Sequence, residues 1–233
     1  MKRVLITGAS SGIGRSISKK LIDSGHLVIG LARRKEKLDA LRNELGKNFV
    51  PHQVDVVDTR AIQEMGDRVR EEHGKIDVLI NNAGVGHLGA ITEGKLEEWH
   101  NMFDVNVKGL LSLTHIFLPD LRDQKGQIIN IDSVAGHEVY PTAVVYCASK
   151  WAVKAISMGL EKELRGEVKI TNISPGAVET EFVNHTSVEE KRKEMQERFQ
   201  DVLTGEDIAE AVLFSMNQRN RAAINEITIR PWK

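Results

Sequence analysis

Short aliphatic and β-branched runs alternate along the chain with longer stretches whose apolar positions recur every three to four residues. The runs Val4–Ile6, Leu27–Leu31, Phe49–Val54, Ile76–Ile80, Gln127–Ile131, Val168–Ile173 and Glu226–Ile229 predict strands. The stretches Ile13–Ser24, Lys35–Leu45, Thr59–His73, Leu96–Arg122, Val144–Leu164 and Glu206–Asn217 predict helices between them. Runs such as "DVLI" and "QIINI" stay apolar without alternation, as expected of strands covered on both faces. Strand–helix alternation of this kind predicts a single-domain, doubly wound α/β fold of the Rossmann type, with a mainly parallel seven-stranded sheet flanked by helices over residues 1–233. One segment breaks the rhythm. Glu179–Gln200, rich in charge, sits between the sixth strand and the last helix, beyond a strand's C-terminal end. It reads as a lid over a site, against the alternative of a solvated surface helix.

Composition narrows the function classes. The 233 residues carry 32 Lys+Arg against 33 Asp+Glu, a net charge of −1, which provides no basic field for nucleic acid. A single cysteine, Cys147, excludes an intrachain disulfide framework and fits a reducing cytoplasm. The apolar run at the N-terminus is too short for a signal peptide, and no stretch is long enough for a membrane span, so a soluble protein is expected. The eight histidines are dispersed without metal-ligand spacing, and no metal is expected.

The first turn carries candidate chemistry. In "VLITGASSGIGRSI" a strand runs through a glycine-rich turn into a helix, with Gly8, Gly12 and Gly14 where backbone must turn tightly and approach a ligand. The helix start that follows offers N–H groups and a positive dipole end to a pyrophosphate. At the end of the second strand, Ala32 stands where an NAD site places an acid on the ribose, followed by Arg33 and Arg34. Guanidinium groups match a 2′-phosphate in charge and donor geometry, so NADP(H) is expected over NAD(H).

A second pair lies at residues 146–150, "YCASK". Positions four apart on a helix point about 40° from each other and lie about 6 Å apart along the axis, so Tyr146 and Lys150 share a face. By itself that spacing also suits a tyrosine ring packed on a lysine stem.

With "TGASSGIG", "NNAG" at 81–84, Ser133 and "YCASK" in this order and spacing, the chain resembles the short-chain dehydrogenase/reductase family over essentially its whole length. The resemblance implies a tetrad of Asn106, Ser133, Tyr146 and Lys150. It implies cofactor contacts from the glycine loop (Gly8, Ser10, Ser11, Gly12, Ile13, Gly14), from Arg33 and Arg34, from Asp55 and Val56 at the adenine, and from Asn82, Ala83 and Gly84. Tyr146 and Lys150 join them at the nicotinamide end, with Pro175, Gly176, Val178 and Thr180 of "SPGAVET". In this reading Tyr146 is the general acid/base and Lys150 lowers its pKa and binds the ribose. Ser133 donates to the reacting oxygen, and Asn106 holds a water that links Lys150 to solvent.

The pattern, notably "AGHEVYP", is most similar to the branch acting on serine and other 3-hydroxy acids or their semialdehydes, with Lys191, Arg192 and Lys193 of the lid available to a carboxylate. A small-molecule substrate and a homo-oligomer, a tetramer by resemblance, follow. Loss of catalysis, leaving a cofactor-binding redox sensor, is the competing reading. Asp132 departs from the small residue expected before Ser133, and the sequence offers no account of it. His87 and His137 read as exposed loop histidines, against the alternative that they border the substrate pocket, and Cys147 as a buried, inert thiol.

Overall fold

The computed structural model describes residues 1–179, 202–219 and 221–232. Seven strands form one sheet: β1 (Arg3–Thr7), β2 (Leu27–Ala32), β3 (Phe49–Gln53), β4 (Val78–Asn81), β5 (Gln127–Ile131), β6 (Lys169–Pro175) and β7 (Glu226–Ile229). Their spatial order is β3-β2-β1-β4-β5-β6-β7, and every neighbouring pair is parallel. The order reverses between β1 and β4, which makes their C-terminal ends the switch point where such folds open a ligand crevice.

Helices cover both faces: α1 (Gly12–Asp23), α2 (Lys35–Leu45), α3 (Thr59–His73), α4 (Leu96–Phe103), α5 (Leu110–Gln124), α6 (Val144–Glu163) and α7 (Gly205–Met216). The strands show why the apolar runs did not alternate. Val4 and Ile6 of β1 join a core shared with Ile17, Leu21, Ile208 and Val212 of α1 and α7. Leu5, between them, joins the opposite core with Met65, Val69, Leu113 and Phe117 of α3 and α5. Residues of both parities are therefore buried, and each such side chain contributes about 1.5–3 kcal/mol. The sheet's β7 edge is different: its residues alternate between exposed and half-buried.

Local chemistry fixes the helix starts. Asp58 caps α3 by accepting the Ala61 N–H at 2.9 Å, and Thr204 with Asp207 forms a reciprocal capping box on α7. Element boundaries differ from the sequence expectation by one or two residues, with one exception. The single helix expected over Leu96–Arg122 is broken by a π-helical segment at Asp104–Gly109, so α4 and α5 are separate pieces. The buried positions Met102, Val105, Gly109 and Leu113 keep three- or four-residue spacing through this segment, so periodicity alone does not reveal it. Such π segments mark functional positions more often than plain helix does, and this one carries Asn106.

Candidate active site

A cavity of about 290 Å³ opens at the switch point. One wall is the β1–α1 loop, Gly8 with Ser10–Gly14; another is the end of β2 with Arg33 and Arg34; Asp55, Val56 and Asn82–Gly84 close the far side. Tyr146, Lys150 and Asp132 lie at its inner end.

Thr7 and Asn82 build the loop pair that frames it. The buried Thr7 hydroxyl accepts the backbone N–H groups of Asn82 at 3.0 Å and Ala83 at 2.9 Å, while Asn82 Nδ2 donates back to the Thr7 carbonyl at 2.8 Å. Gly8 has φ +66°, and a Cβ at Gly14 would stand 2.1 Å from the Gly8 carbonyl. No side chain fits between the loop and the helix start, so the backbone N–H groups face the cavity bare. Arg34 donates to Ser11 Oγ at 2.8 Å, which brings its guanidinium to the glycine loop, and Arg33 lines the same end from an exposed position. A nicotinamide dinucleotide suits this set: bare amides for a pyrophosphate, guanidinium donors for a further phosphate, and no acid at Ala32 to repel it.

At the inner end, α6 presents Tyr146 and the buried Lys150 from one face. Lys150 Nζ donates to the Ile131 carbonyl at 3.0 Å. Ser133, which caps the short 3₁₀ turn Val134–Gly136, hydrogen bonds to the Tyr146 phenol. Asn106 is buried in the π segment; its Oδ1 accepts the Val85 N–H at 2.8 Å and its Nδ2 donates to the Val85 carbonyl and Ser149 Oγ. Lys150 and Asn106 converge on Gly84, where an added Cβ would lie 3.7 Å from Lys150 Nζ and 3.4 Å from Asn106 Oδ1.

The electrostatics depart from expectation. Burial pushes the Tyr146 phenol up, the Ser133 hydrogen bond pulls it down, and the Asp132 carboxylate pushes it up again; the net direction is upward. Desolvation of the phenolate sets this direction, and Lys150 is not among the groups that shift the phenol in the protein alone. Burial pulls the Lys150 ammonium below its ordinary value, and Asp132 raises it.

All the expected glycine-loop residues line the cavity, as do Arg33, Arg34, Asp55, Val56, Asn82, Ala83, Gly84, Tyr146 and Lys150. Asn106 and Ser133 stand behind this lining, tied to it through Val85 and Tyr146. Pro175, Gly176 and Val178 sit at the end of β6, held by the Gly176 N–H to Ile229 carbonyl bond (2.7 Å) and a bridge from Val178 to Leu203, apart from the cavity wall. Thr180, the body of the expected lid, and Lys191, Arg192 and Lys193 lie outside the described residues.

His87 and His137 are part-buried, not exposed, and neither lines the cavity: His137 meets Ser174, Lys154 and Glu226, and His87 lies beside Asn101. Cys147 is buried, as expected. The sequence reading missed Thr7 as the clasp between the β1 and β4 loops, although its place before Gly8 was a usable signal. Among the described residues, no group of three or more His, Cys, Asp or Glu is placed to hold a metal ion, and no helix is long and apolar enough to cross a membrane.

Comparison with known proteins agrees with this geometry. The sequence model for short chain dehydrogenases matches residues 2–191. An uncharacterized oxidoreductase of Staphylococcus saprophyticus is 37% identical over 235 residues, covering 99% of this chain and 96% of that protein. Among solved structures, the closed form of a serine dehydrogenase complexed with NADP+ superposes with a TM-score of 0.93 at 37% identity, covering 98% of this chain and 94% of the other. Serine dehydrogenase from Escherichia coli gives 0.86 at 35% identity, covering 98% and 97%. A short chain dehydrogenase/reductase from Burkholderia phymatum, solved with NAD, gives 0.89 at 27% identity, covering 97% and 88%. On fold, cavity and sequence together, the chain belongs to the short-chain dehydrogenase family of oxidoreductases.

Proposed function

We propose that this oxidoreductase uses NADP(H) and interconverts a small alcohol and its carbonyl partner, a 3-hydroxy acid or semialdehyde being the preferred class. The observation that carries the reading is one cavity with guanidinium groups at one end and a phenol–ammonium–serine set at the other. The cofactor supplies or accepts the hydride.

The chain's own residues handle the proton. With its phenol held protonated, Tyr146 is poised to donate to a carbonyl oxygen as negative charge grows there. Ser133, already hydrogen-bonded to the phenol, places a second donor at that oxygen. Lys150 sets a buried positive charge one helical turn from the phenol, on the same face. Asn106 locks the loop after β4 against the π segment and so keeps Gly84, Lys150 and the cavity wall in register. Arg33 and Arg34 favour a cofactor bearing a 2′-phosphate. The serine dehydrogenase likeness supports the substrate class, since that relative shares the fold over nearly the whole chain. Exposed Phe103, Leu111, Trp151 and Met158 on α4, α5 and α6 support association of copies, for which we infer a tetramer in the cytoplasm.

The experiment is consumption of NADPH, and separately of NADH, over a panel of aldehydes, ketones, semialdehydes and keto acids. Turnover greatest with NADPH and a carboxylate-bearing carbonyl is expected. Tight NADPH binding with no turnover of any carbonyl would replace this reading with that of a cofactor sensor.

A further inference from the structure

Ser133 stands on a short stretch of chain that has to be held at both ends. Its entry is fixed by the sheet, where the Asp132 N–H donates to the Ile173 carbonyl at 2.7 Å. The backbone then makes the 3₁₀ turn Val134–Gly136, closed by the Gly136 N–H on the Ser133 carbonyl and the His137 N–H on the Val134 carbonyl, both at 2.9 Å. Within the turn Ala135 packs on Ala143 and Cys147, a methyl contact that carries no direction. Beyond it Glu138 and Val139 are exposed and offer no burial to anchor the turn. What holds His137 therefore sets where Ser133 points.

His137 is held from three elements at once. Lys154 Nζ of α6 lies 2.7 Å from Nδ1, while Ser174 Oγ of β6 and Glu226 Oε1 of β7 lie 2.9 and 3.1 Å from Nε2. A lysine ammonium can only donate, so Nδ1 is the acceptor and the ring proton sits on Nε2, facing the serine and the carboxylate. Lys154 also reaches Glu226 Oε1 at 3.3 Å, which closes a ring of three side chains. Ser174 is fully buried, and the His137 and Lys154 side chains are only 20% and 22% exposed, so water screens these contacts less than it screens a surface pair.

The helix on the other side of the clasp is the one that carries the phenol. Tyr146, Lys150 and Lys154 recur every four residues and lie within about 80° of one another around α6. Each meets the Ser133 segment. Lys150 Nζ donates to the Ile131 carbonyl at 3.0 Å, Tyr146 hydrogen bonds to Ser133, and Lys154 meets His137. One helix thus grips the segment before, at and after the serine. Two donors that must converge on one carbonyl oxygen need this common frame, because a misplacement of about 1 Å can cost about 10²-fold in rate. The Arg230–Glu138 pair at 2.5 Å and the Tyr140 hydroxyl on Glu138 at 3.0 Å tie the next residue, but they are exposed and add little.

We propose that His137 is a positioning residue for Ser133: clasped by Lys154 and Glu226, it fixes the exit of the 3₁₀ turn and keeps the serine hydroxyl aligned with the Tyr146 phenol. This rests on the oxidoreductase reading for its purpose, but one arm of its test does not.

The test replaces His137 by phenylalanine, which keeps a ring and removes both nitrogens. In the protein without cofactor, amide hydrogen exchange at Ala135 and Gly136 is expected to quicken by about 10-fold or more, while the amides of β4 and β5 keep their rates. With NADPH and the best carbonyl of the panel, kcat is expected to fall by about 10-fold or more with KM for NADPH within about twofold. In a Ser133→Ala background the same substitution is expected to change kcat by less than about twofold, because the group it positions is already gone. A merely structural defect lowers both backgrounds alike. Lys154→Met, which removes the ammonium from the helix side, carries the same comparison if His137→Phe does not fold. Unchanged exchange at Ala135 and Gly136 in a folded variant overturns the proposal, as does a kcat loss that persists undiminished without Ser133. Failure of the oxidoreductase reading shows separately, as absence of Tyr146-dependent turnover in the wild type, and the exchange arm then decides the clasp.

Discussion

Replacing Thr7 by valine conserves shape and β-propensity while deleting one hydroxyl, which makes it a sharp probe of how the cavity is framed. That hydroxyl accepts two backbone N–H groups, from Asn82 and Ala83, at 3.0 and 2.9 Å, and reaches the Ile80 carbonyl at 3.5 Å. The valine methyl leaves both donors facing an apolar surface. Each orphaned backbone group costs about 1–3 kcal/mol when fully buried. Asn82 and Ala83 are part-buried, so the lower half of the range applies, and the pair is expected to cost about 2–4 kcal/mol.

For a chain of this length, a change of 1 kcal/mol moves Tm by about 2–4 °C, so a fall of at least ~4 °C is expected. Calorimetry or denaturant unfolding at fixed protein concentration, without added cofactor, measures it. Because the lost bonds join the β1 and β4 loops, KM for the cofactor is expected to rise more than kcat falls. A loss below about 0.5 kcal/mol, the scatter of unremarkable substitutions, would refute the clasp.

Two further outcomes follow from the site. Arg33→Asp is expected to lower the NADPH-to-NADH preference by on the order of 10-fold or more, through loss of a charge-assisted contact and gain of a repulsive carboxylate; an unchanged affinity ratio in a binding titration would remove the 2′-phosphate assignment. The raised Tyr146 pKa also makes a linkage prediction. Above pH 10 the unfolded chain releases the phenol proton while the folded protein retains it, so the unfolded state binds fewer protons and stability falls as pH rises. Tyr146→Phe is expected to flatten that alkaline decline, read from denaturation midpoints between pH 9 and 11; identical slopes in both proteins would refute the shift.

The parts of this molecule that sequence reading reached are local ones. Strand positions followed from apolar runs, and the glycine loop and the Tyr146–Lys150 pair each sit within one turn and one helix, where spacing alone sets direction. The π segment at Asp104–Gly109 was hidden because the buried positions keep three- or four-residue spacing across it, as a plain helix would. Asp132 was opaque for a different reason. Its partner Asn172 is 40 positions away, so the contact exists only once β5 and β6 are in register. The upward shift of Tyr146 was likewise a matter of burial, which a four-residue spacing does not report.

The central claim is that Tyr146 carries the proton of a carbonyl–alcohol interconversion. Turnover of NADPH by the wild type beside Tyr146→Phe, with cofactor affinity measured for both, tests it most directly. The account predicts a loss in kcat on the order of 10²–10⁴-fold with the cofactor still bound; near-wild-type turnover by the phenylalanine variant would contradict it.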